Sequence, residues 1–291
     1  VPELPEVEIT RRRIGPLLVG RRIASVSTTR ESYFFLTRPA ALRRGLVGRR
    51  VEALARRGKY LLAGLDDGAR LVLHLGMTGQ LFSGEATSPR LLSAPARSQL
   101  TPEAQRRFWP DRHTHLRLGF EDRGPEVLFR DVRKFGKVLL LRRGASDPRL
   151  DRLGVDALEL DAAALHRASR GRRASVKALL LDQAVASGIG NIYADEALFR
   201  AGIRPTRRAG GLRRRECAAL AAAVRSVLER SIETGGSSIR DYVAPDGADG
   251  SFQEERQVYG RAGAECRVCG ARIRRAVVAQ RSTCFCPACQ R

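Results

Sequence analysis

The chain has 291 residues, 43% of them hydrophobic, which is room for two or three domains with ordinary cores. Lys and Arg total 53 against 31 Asp and Glu, a formal charge of +22 that disfavours a neutral or acidic-surfaced role and favours a polyanionic partner. No run of about 18 apolar residues occurs, so no membrane span is expected. The start from Val1 to Val7 is acidic and lacks an apolar stretch, so no signal peptide is expected and the cytoplasm is the expected location. The only lysines are Lys59, Lys134, Lys137 and Lys177. A GC-rich genome accounts for that ratio of Arg to Lys but not for the net excess. The excess fits a nucleic acid; a ribosomal-type RNA or a membrane surface is the other partner open at this point.

Residues 3–14 place Leu4, Val7 and Ile14 at near-helical spacing, with Glu3, Glu6 and Glu8 early and Arg11, Arg12 and Arg13 late. That charge order suits a helix dipole, and Pro16 and Gly20 are expected to end the helix. Short apolar runs divided by Gly and charged turns follow at 22–28, 48–54, 59–65, 70–75, 115–120, 126–129 and 137–141, read as strands of a β-rich domain. Residues 83–113 are polar and rich in Pro and Ser, read as a long surface loop with a short helix at 102–108. From about Asp147 the pattern becomes helical: Leu153, Leu158, 162–165 and 176–181. A tight turn at Ser187-Gly188-Ile189-Gly190-Asn191 precedes a helix at 192–201. Residues 213–234 form a long helix with Cys217, Leu220, Ala221, Val224, Val227 and Leu228 as its apolar stripe. The fold class is therefore multi-domain α+β, divided as 1–145, a β domain; 146–257, a helical domain; and 258–291, a small cysteine module.

Five of the six cysteines lie between Cys266 and Cys289. Cys266-x2-Cys269 and Cys286-x2-Cys289, separated by residues 270–285, match the spacing of a four-cysteine zinc site. Four thiolates fill a tetrahedral ion, so one structural Zn2+ is expected, with the metal supplying folding energy that so short a module lacks. Cys284 is expected to be a buried strand residue rather than a ligand. The segment between the pairs carries Arg272, Arg274, Arg275 and Arg281, suited to a DNA backbone or groove.

Several further strings stand in one order along the chain: Pro2-Glu3-Leu4-Pro5-Glu6-Val7-Glu8, Lys59-Tyr60, His74-Leu75-Gly76-Met77-Thr78-Gly79, Asp131-Val132-Arg133-Lys134-Phe135-Gly136, Gly188-Ile189-Gly190-Asn191-Ile192-Tyr193-Ala194 and Gln257-Val258-Tyr259-Gly260-Arg261, then the cysteine module with Ala279-Gln280-Arg281. Together they resemble the formamidopyrimidine-DNA glycosylase family over the full length. The resemblance implies an N-terminal helix on a two-sheet β-sandwich, a helix–two-turn–helix domain and a zinc finger, with damaged double-stranded DNA bound between domains by a monomer. It implies a bacterial enzyme that excises oxidised purines and nicks the strand. Leu4, where the related endonuclease VIII branch has Gly, favours oxidised purines over that branch's oxidised pyrimidines. A non-catalytic DNA-binding paralogue is the remaining alternative.

The roles it implies are these. Pro2 would be the nucleophile, Glu3 the acid/base, Glu6 a supporting carboxylate and Lys59 a contact to phosphate or damaged base at the reaction centre. Met77, Arg133 and Phe135 would fill the space left by a flipped nucleotide. Lys177, Asn191, Arg240, Arg281 and His74 would contact the DNA backbone. An acylated proline nitrogen is not nucleophilic, so the active enzyme is expected to lack Val1; a GTG start codon read literally as Val would account for it.

Overall fold

The computed structural model describes residues 2–86, 110–237, 242 and 244–291. Val1, Arg240 and most of the 83–113 loop, including the helix expected at 102–108, lie outside the described residues. The chain divides into two compact units, residues 1–148 with 234–253, and residues 149–233 with 254–291.

The first unit opens with helix α1 (Leu4–Leu18), whose Val7, Ile14 and Leu18 are fully buried. The helix continues through Pro16, which was expected to end it; a proline this close to the C-terminus forfeits one hydrogen bond, and Val19 N–H still donates to the Gly15 carbonyl at 2.9 Å. Two four-stranded antiparallel sheets follow. One has the order β1 (Ile23–Thr28), β6 (Thr114–Phe120), β7 (Val127–Asp131), β5 (Gly79–Ser83). The other has the order β2 (Val51–Arg57), β3 (Tyr60–Leu65), β4 (Arg70–His74), β8 (Lys137–Leu141). Alternation along β3 turns Leu61, Ala63 and Leu65 inward, while every residue of β7 is buried. One continuous core joins Leu61, Leu71, Leu73 and Val138 of one sheet to Leu81, Leu116, Leu118 and Phe129 of the other, a β-sandwich.

Neither strand β5 nor helix α2 (Pro39–Leu46) was expected from sequence. Strand β5 is short and begins at Gly-Gln, residues of low strand propensity; it forms because β7 offers a ladder, with Leu81 opposite Phe129. Helix α2 starts with proline in its first turn and buries only Leu42 and Leu46, an i,i+4 pair too sparse to give a periodic signal.

The second unit contains α3 (Pro148–Asp151), α4 (Ala162–Ser169), α5 (Val176–Leu181), α6 (Asn191–Arg200), α7 (Arg214–Glu233) and α8 (Phe252–Glu255, the last two residues of which belong here). Side chains of Asp161 and Ser175 cap α4 and α5. The stripe expected on α7 is buried, and Tyr193 Oη lies 2.6 Å from Ser231 Oγ between α6 and α7. The helical pattern expected at Leu153 and Leu158 is not realised. The chain there forms β9 (Val155–Asp156), paired in parallel with β10 (Ala186–Ser187), and the lengthwise ladder wins over helix propensity. A hairpin of β11 (Arg274–Val278) and β12 (Arg281–Phe285) carries the end of the chain. Among the described residues no helix is long and apolar enough to cross a membrane.

Phe129 is fully buried at the centre of the sandwich and packs edge-on against Phe34, ring centroids 4.9 Å apart. Phe129→Ala should cost about 3–5 kcal/mol, read as a lower denaturant midpoint; a shift under about 1 kcal/mol would show that this core is not packed as described.

Candidate active site and DNA-contact residues

Pro2, Glu3 and Glu6 are all buried at the start of α1, Glu3 at 3% exposure and Glu6 at 1%. A capping box explains the local geometry: the Glu3 side chain accepts from the Glu6 backbone, and Glu6 Oε2 accepts from Glu3 N–H at 2.8 Å. The other Glu6 oxygen accepts the Ser237 N–H at 2.9 Å. The Glu6 carbonyl accepts from Thr10 Oγ1 at 2.8 Å and from Tyr242 Oη at 3.1 Å. Burial, reinforced by the Glu6 charge, pushes the Tyr242 phenol well above its ordinary range, so it stays protonated and donates. A helix start on the surface would leave these acids in water; here both carboxylates are buried directly after a buried Pro2.

Lys59 follows Gly58 in the two-residue turn between β2 and β3. In the next rungs Tyr60 pairs with His74, and His74 with Lys137. Burial, aided by the charges of Lys59 and Lys137, lowers the His74 pKa to about 4. Gly76 N–H points at His74 Nδ1 from 3.2 Å, so the neutral ring carries its hydrogen on Nε2. His74 is thus a neutral hydrogen-bond donor at pH 7, not a cation.

Met77 lies in the turn between β4 and β5, half-buried, and Arg133 and Phe135 lie in the turn between β7 and β8. The two turns touch at Gly76, where φ is +64° and an added Cβ would come within 2.5 Å of the Phe135–Gly136 backbone. Asp131, fully buried, organises both. Its Oδ1 accepts from Thr78 Oγ1 at 2.5 Å and Arg133 N–H at 3.2 Å, and its Oδ2 from Gly136 N–H at 2.7 Å. Thr78 Oγ1 in turn accepts from Arg133 N–H at 3.1 Å. The outcome is an exposed Arg133 guanidinium 4.5 Å from the ring of Phe135, itself 42% exposed. A large apolar ring held out in water beside a cation on a rigid turn is poorly explained by packing and well suited to stacked bases. Sequence reasoning assigned no role to Asp131 or Thr78; their presence inside both motifs was the available signal.

In the second unit Asn191 is the first residue of α6, and its Nδ2 donates to the Ser282 carbonyl at 2.9 Å. Arg281 is exposed and opens β12. The tip of the hairpin is Ala279-Gln280, both at positive φ, so the arginine flanks the tip rather than forming it. Lys177 was expected to meet phosphate from the surface. It is fully buried, with Nζ 2.6 Å from Asp195 and 2.8 Å from Thr283 Oγ1, because a buried ammonium must be paired. Burial raises the Asp195 carboxyl, to about 6, against the pull of Lys177. Asp195 Oδ2 also accepts the Cys284 N–H at 2.9 Å. Beside it Glu196 accepts N–H groups of Gln257, Val258 and Tyr259 at 2.7–2.9 Å. These adjacent acids on α6, both missed from sequence, fasten the cysteine module to the helices.

The Sγ atoms of Cys266, Cys269, Cys286 and Cys289 all lie within 4.8 Å of one another. Separations of 3.4, 3.5 and 3.9 Å link Cys269–Cys289, Cys269–Cys286 and Cys266–Cys289. Thiolates about 2.3 Å from a tetrahedral zinc stand about 3.8 Å apart, so the donor set fits one zinc with no position left for water. Cys284, buried in β12, lies outside the cluster.

Three family models match in chain order: "Formamidopyrimidine-DNA glycosylase N-terminal domain" over residues 1–138, "Formamidopyrimidine-DNA glycosylase H2TH domain" over 153–243 and "Zinc finger found in FPG and IleRS" over 263–291. The formamidopyrimidine-DNA glycosylase of Halorhodospira halophila is 45% identical, with 100% of both chains covered. The crystal structure of the MutM (Fpg) protein of Thermus thermophilus matches with a TM-score of 0.83 at 40% identity, covering 99% of this chain and 98% of that one. A Lactococcus lactis FPG mutant in complex with a Fapy-dG containing DNA matches with a TM-score of 0.83 at 34% identity, covering 100% of each chain.

Two outcomes follow from the site geometry. Elemental analysis should find one zinc per chain, and Cys286→Ala should abolish it; metal retained by that variant would contradict the four-thiolate site. The folded His74 ring binds a proton less readily than the unfolded one, so the stability its neutral state permits is complete above pH 6.5 and declines as pH falls toward about 4. NMR titration of the ring should show no protonation at pH 6; a midpoint near 6.5 would contradict the buried neutral tautomer.

Proposed function

Because the chain belongs to the formamidopyrimidine-DNA glycosylase family, we propose that it is a bifunctional enzyme of base-excision repair that removes oxidised purines, 8-oxoguanine and formamidopyrimidines, from duplex DNA and then nicks the strand. The observation that carries the reading is a buried Pro2 that leads directly into a buried capping box of two carboxylates, Glu3 and Glu6. On this reading residues 1–145 are catalytic, 146–257 grip DNA and 258–291 form the zinc finger. The chain works as a monomer in the bacterial cytoplasm, at the nucleoid.

The chemistry follows from a secondary amine. An α-amino group titrates near about pH 8, so a useful fraction of Pro2 nitrogen is unprotonated at neutral pH, provided the nitrogen is free. Its lone pair attacks C1′ and the glycosidic bond breaks, the base leaving with the bonding electrons and a proton. Glu3 gives a proton to the sugar ring oxygen as the ring opens, and the Pro2–C1′ bond becomes an iminium. The iminium acidifies the C2′ hydrogen; its removal expels the 3′ phosphate, and a second elimination expels the 5′ phosphate. Addition of water to the iminium and expulsion of the amine return Pro2 and release the sugar remnant as an aldehyde. Glu6 keeps the terminus in place, and Lys59 holds a phosphate or the damaged base beside it.

Extruding the base costs a few kcal/mol of stacking and pairing. Met77 and Phe135 fill the gap, and the guanidinium of Arg133 hydrogen-bonds the cytosine left without its partner. His74, through Nε2–H, and Asn191, Arg240 and Arg281 contact backbone phosphates. Lys177 contributes indirectly, by holding Ser282 and Thr283 next to Arg281 through hydrogen bonds of 3.2 and 2.8 Å. Zinc in its four-thiolate site keeps the hairpin rigid.

Duplexes with one defined lesion test this directly. A duplex with 8-oxoguanine opposite cytosine should be both depurinated at the lesion and nicked; a preference for oxidised pyrimidines would assign the chain to the endonuclease VIII-like branch. Arg281→Ala should weaken DNA binding and flatten its logarithmic salt slope by about 1; an unchanged slope would remove Arg281 from the phosphate contacts.

A further inference from the structure

Glu8 lies two residues beyond Glu6 on α1, is 6% exposed, and has no part in the chemistry above. Its carboxylate receives N–H groups from three arginines. Arg11 donates from 2.7 and 3.0 Å and Arg12 from 2.8 Å, both within α1. The third is Arg56, whose Nε donates from 3.1 Å across to the opposite element, β2. Burial alone would raise the Glu8 carboxyl, but these donors bring it down to about 2, so it is ionised throughout the working range.

Arg56 is the informative partner, because only 8% of its side chain is exposed and it reaches two places at once. While Nε holds Glu8, Nη1 donates to the Gly58 carbonyl at 3.0 Å. Gly58, at φ +56°, is the first of the two turn residues, and Lys59 is the second. A planar guanidinium with divergent donors can bridge a carboxylate and a carbonyl in fixed geometry; a lysine ammonium of similar reach cannot do so rigidly. The helix that Pro2 and Glu3 lead into is thereby tied, through one side chain, to the turn that carries Lys59.

We propose that Glu8 and Arg56 are positioning residues for the reaction: a buried strap from α1 to the β2–β3 turn that sets the place of Lys59 relative to Pro2 and Glu3. This rests on the assignment of Lys59 to the reaction centre. Neither residue touches substrate; both act through the Lys59 turn. Tight hairpin turns flex in the absence of tertiary contacts, and misplacing a reacting group by about 1 Å can cost about a hundredfold in rate.

The test is a double-mutant cycle on the full chain, read by single-turnover excision of 8-oxoguanine and by affinity for a duplex containing an uncleavable tetrahydrofuran abasic analogue. Lys59→Met, Arg56→Met and Arg56→Lys are measured alone, and each Arg56 variant again in the Lys59→Met background. Arg56→Met should slow excision at least about tenfold while affinity changes less than about threefold. Arg56→Lys, which can keep the Glu8 contact but not both, should fall between Arg56→Met and the unaltered chain. In the Lys59→Met background both Arg56 variants should have little further effect, because the group they position is gone. Effects that multiply instead would overturn the strap, showing that Arg56 acts on the unit generally. Full activity of Lys59→Met would overturn the assignment of Lys59 itself, a separate result. Should Arg56→Met not fold, the Arg56→Lys arm decides by the same criterion.

Discussion

The Glu6 carboxylate is the fixed point around which the amino-terminal site is arranged. One oxygen takes the Glu3 N–H and the other the Ser237 N–H, while the Glu6 carbonyl takes Tyr242 Oη. A carboxylate at 1% exposure is tolerable only with such partners, since leaving its oxygens unpaired would cost several kcal/mol. The requirement works in both directions. The carboxylate is stable because the chain start and the 236–237 backbone are where they are, and those segments are fixed because the carboxylate has to be satisfied. A chain terminus is ordinarily the loosest part of a protein. Here the segment from Pro2 to Glu6 is buried, and the Glu3 and Glu6 carboxylates are hydrogen-bonded within it.

The same device recurs. Asp131 takes three backbone or hydroxyl donors and so shapes the two turns that present Met77, Arg133 and Phe135. Asp195 and Glu196 take the N–H groups of Cys284 and of residues 257–259, joining the zinc module to α6. Asp131 and Glu196 satisfy irregular backbone that sheets and helices cannot, while Asp195 takes an N–H of strand β12. The turn braced by Asp131 exposes Arg133 and Phe135.

Much of this was legible in the sequence. Period-2 and period-3.6 patterns mark most strands and α7, and the cysteine spacing marks the metal site before any fold is known. The motifs that carry Pro2, Met77, Arg133 and Asn191 also stand in the chain as contiguous strings. The unreadable part was of one kind: contacts between residues far apart in the chain. Lys177 looks like a surface cation because its partners, Asp195 and Thr283, are distant in sequence. Glu8 looks like a dipole-stabilising acid because Arg56 lies beyond β1 and α2. The available hint was a charge in an apolar face, as with Asp195 and Glu196 between Tyr193 and Leu198. Strand β5 and helix α2 were missed because neighbours, rather than local propensity, stabilise them.

The central claim is that one amine, on Pro2, performs both base removal and strand cleavage. Borohydride reduction during turnover on an 8-oxoguanine duplex, followed by proteolysis and mass spectrometry of the protein–DNA adduct, tests it most directly. The account predicts a single reduced adduct on the peptide that begins at Pro2, bonded through the proline nitrogen, with nicking falling as the adduct accumulates. An adduct on Lys59 or another lysine, or efficient nicking with no trappable adduct, would contradict it.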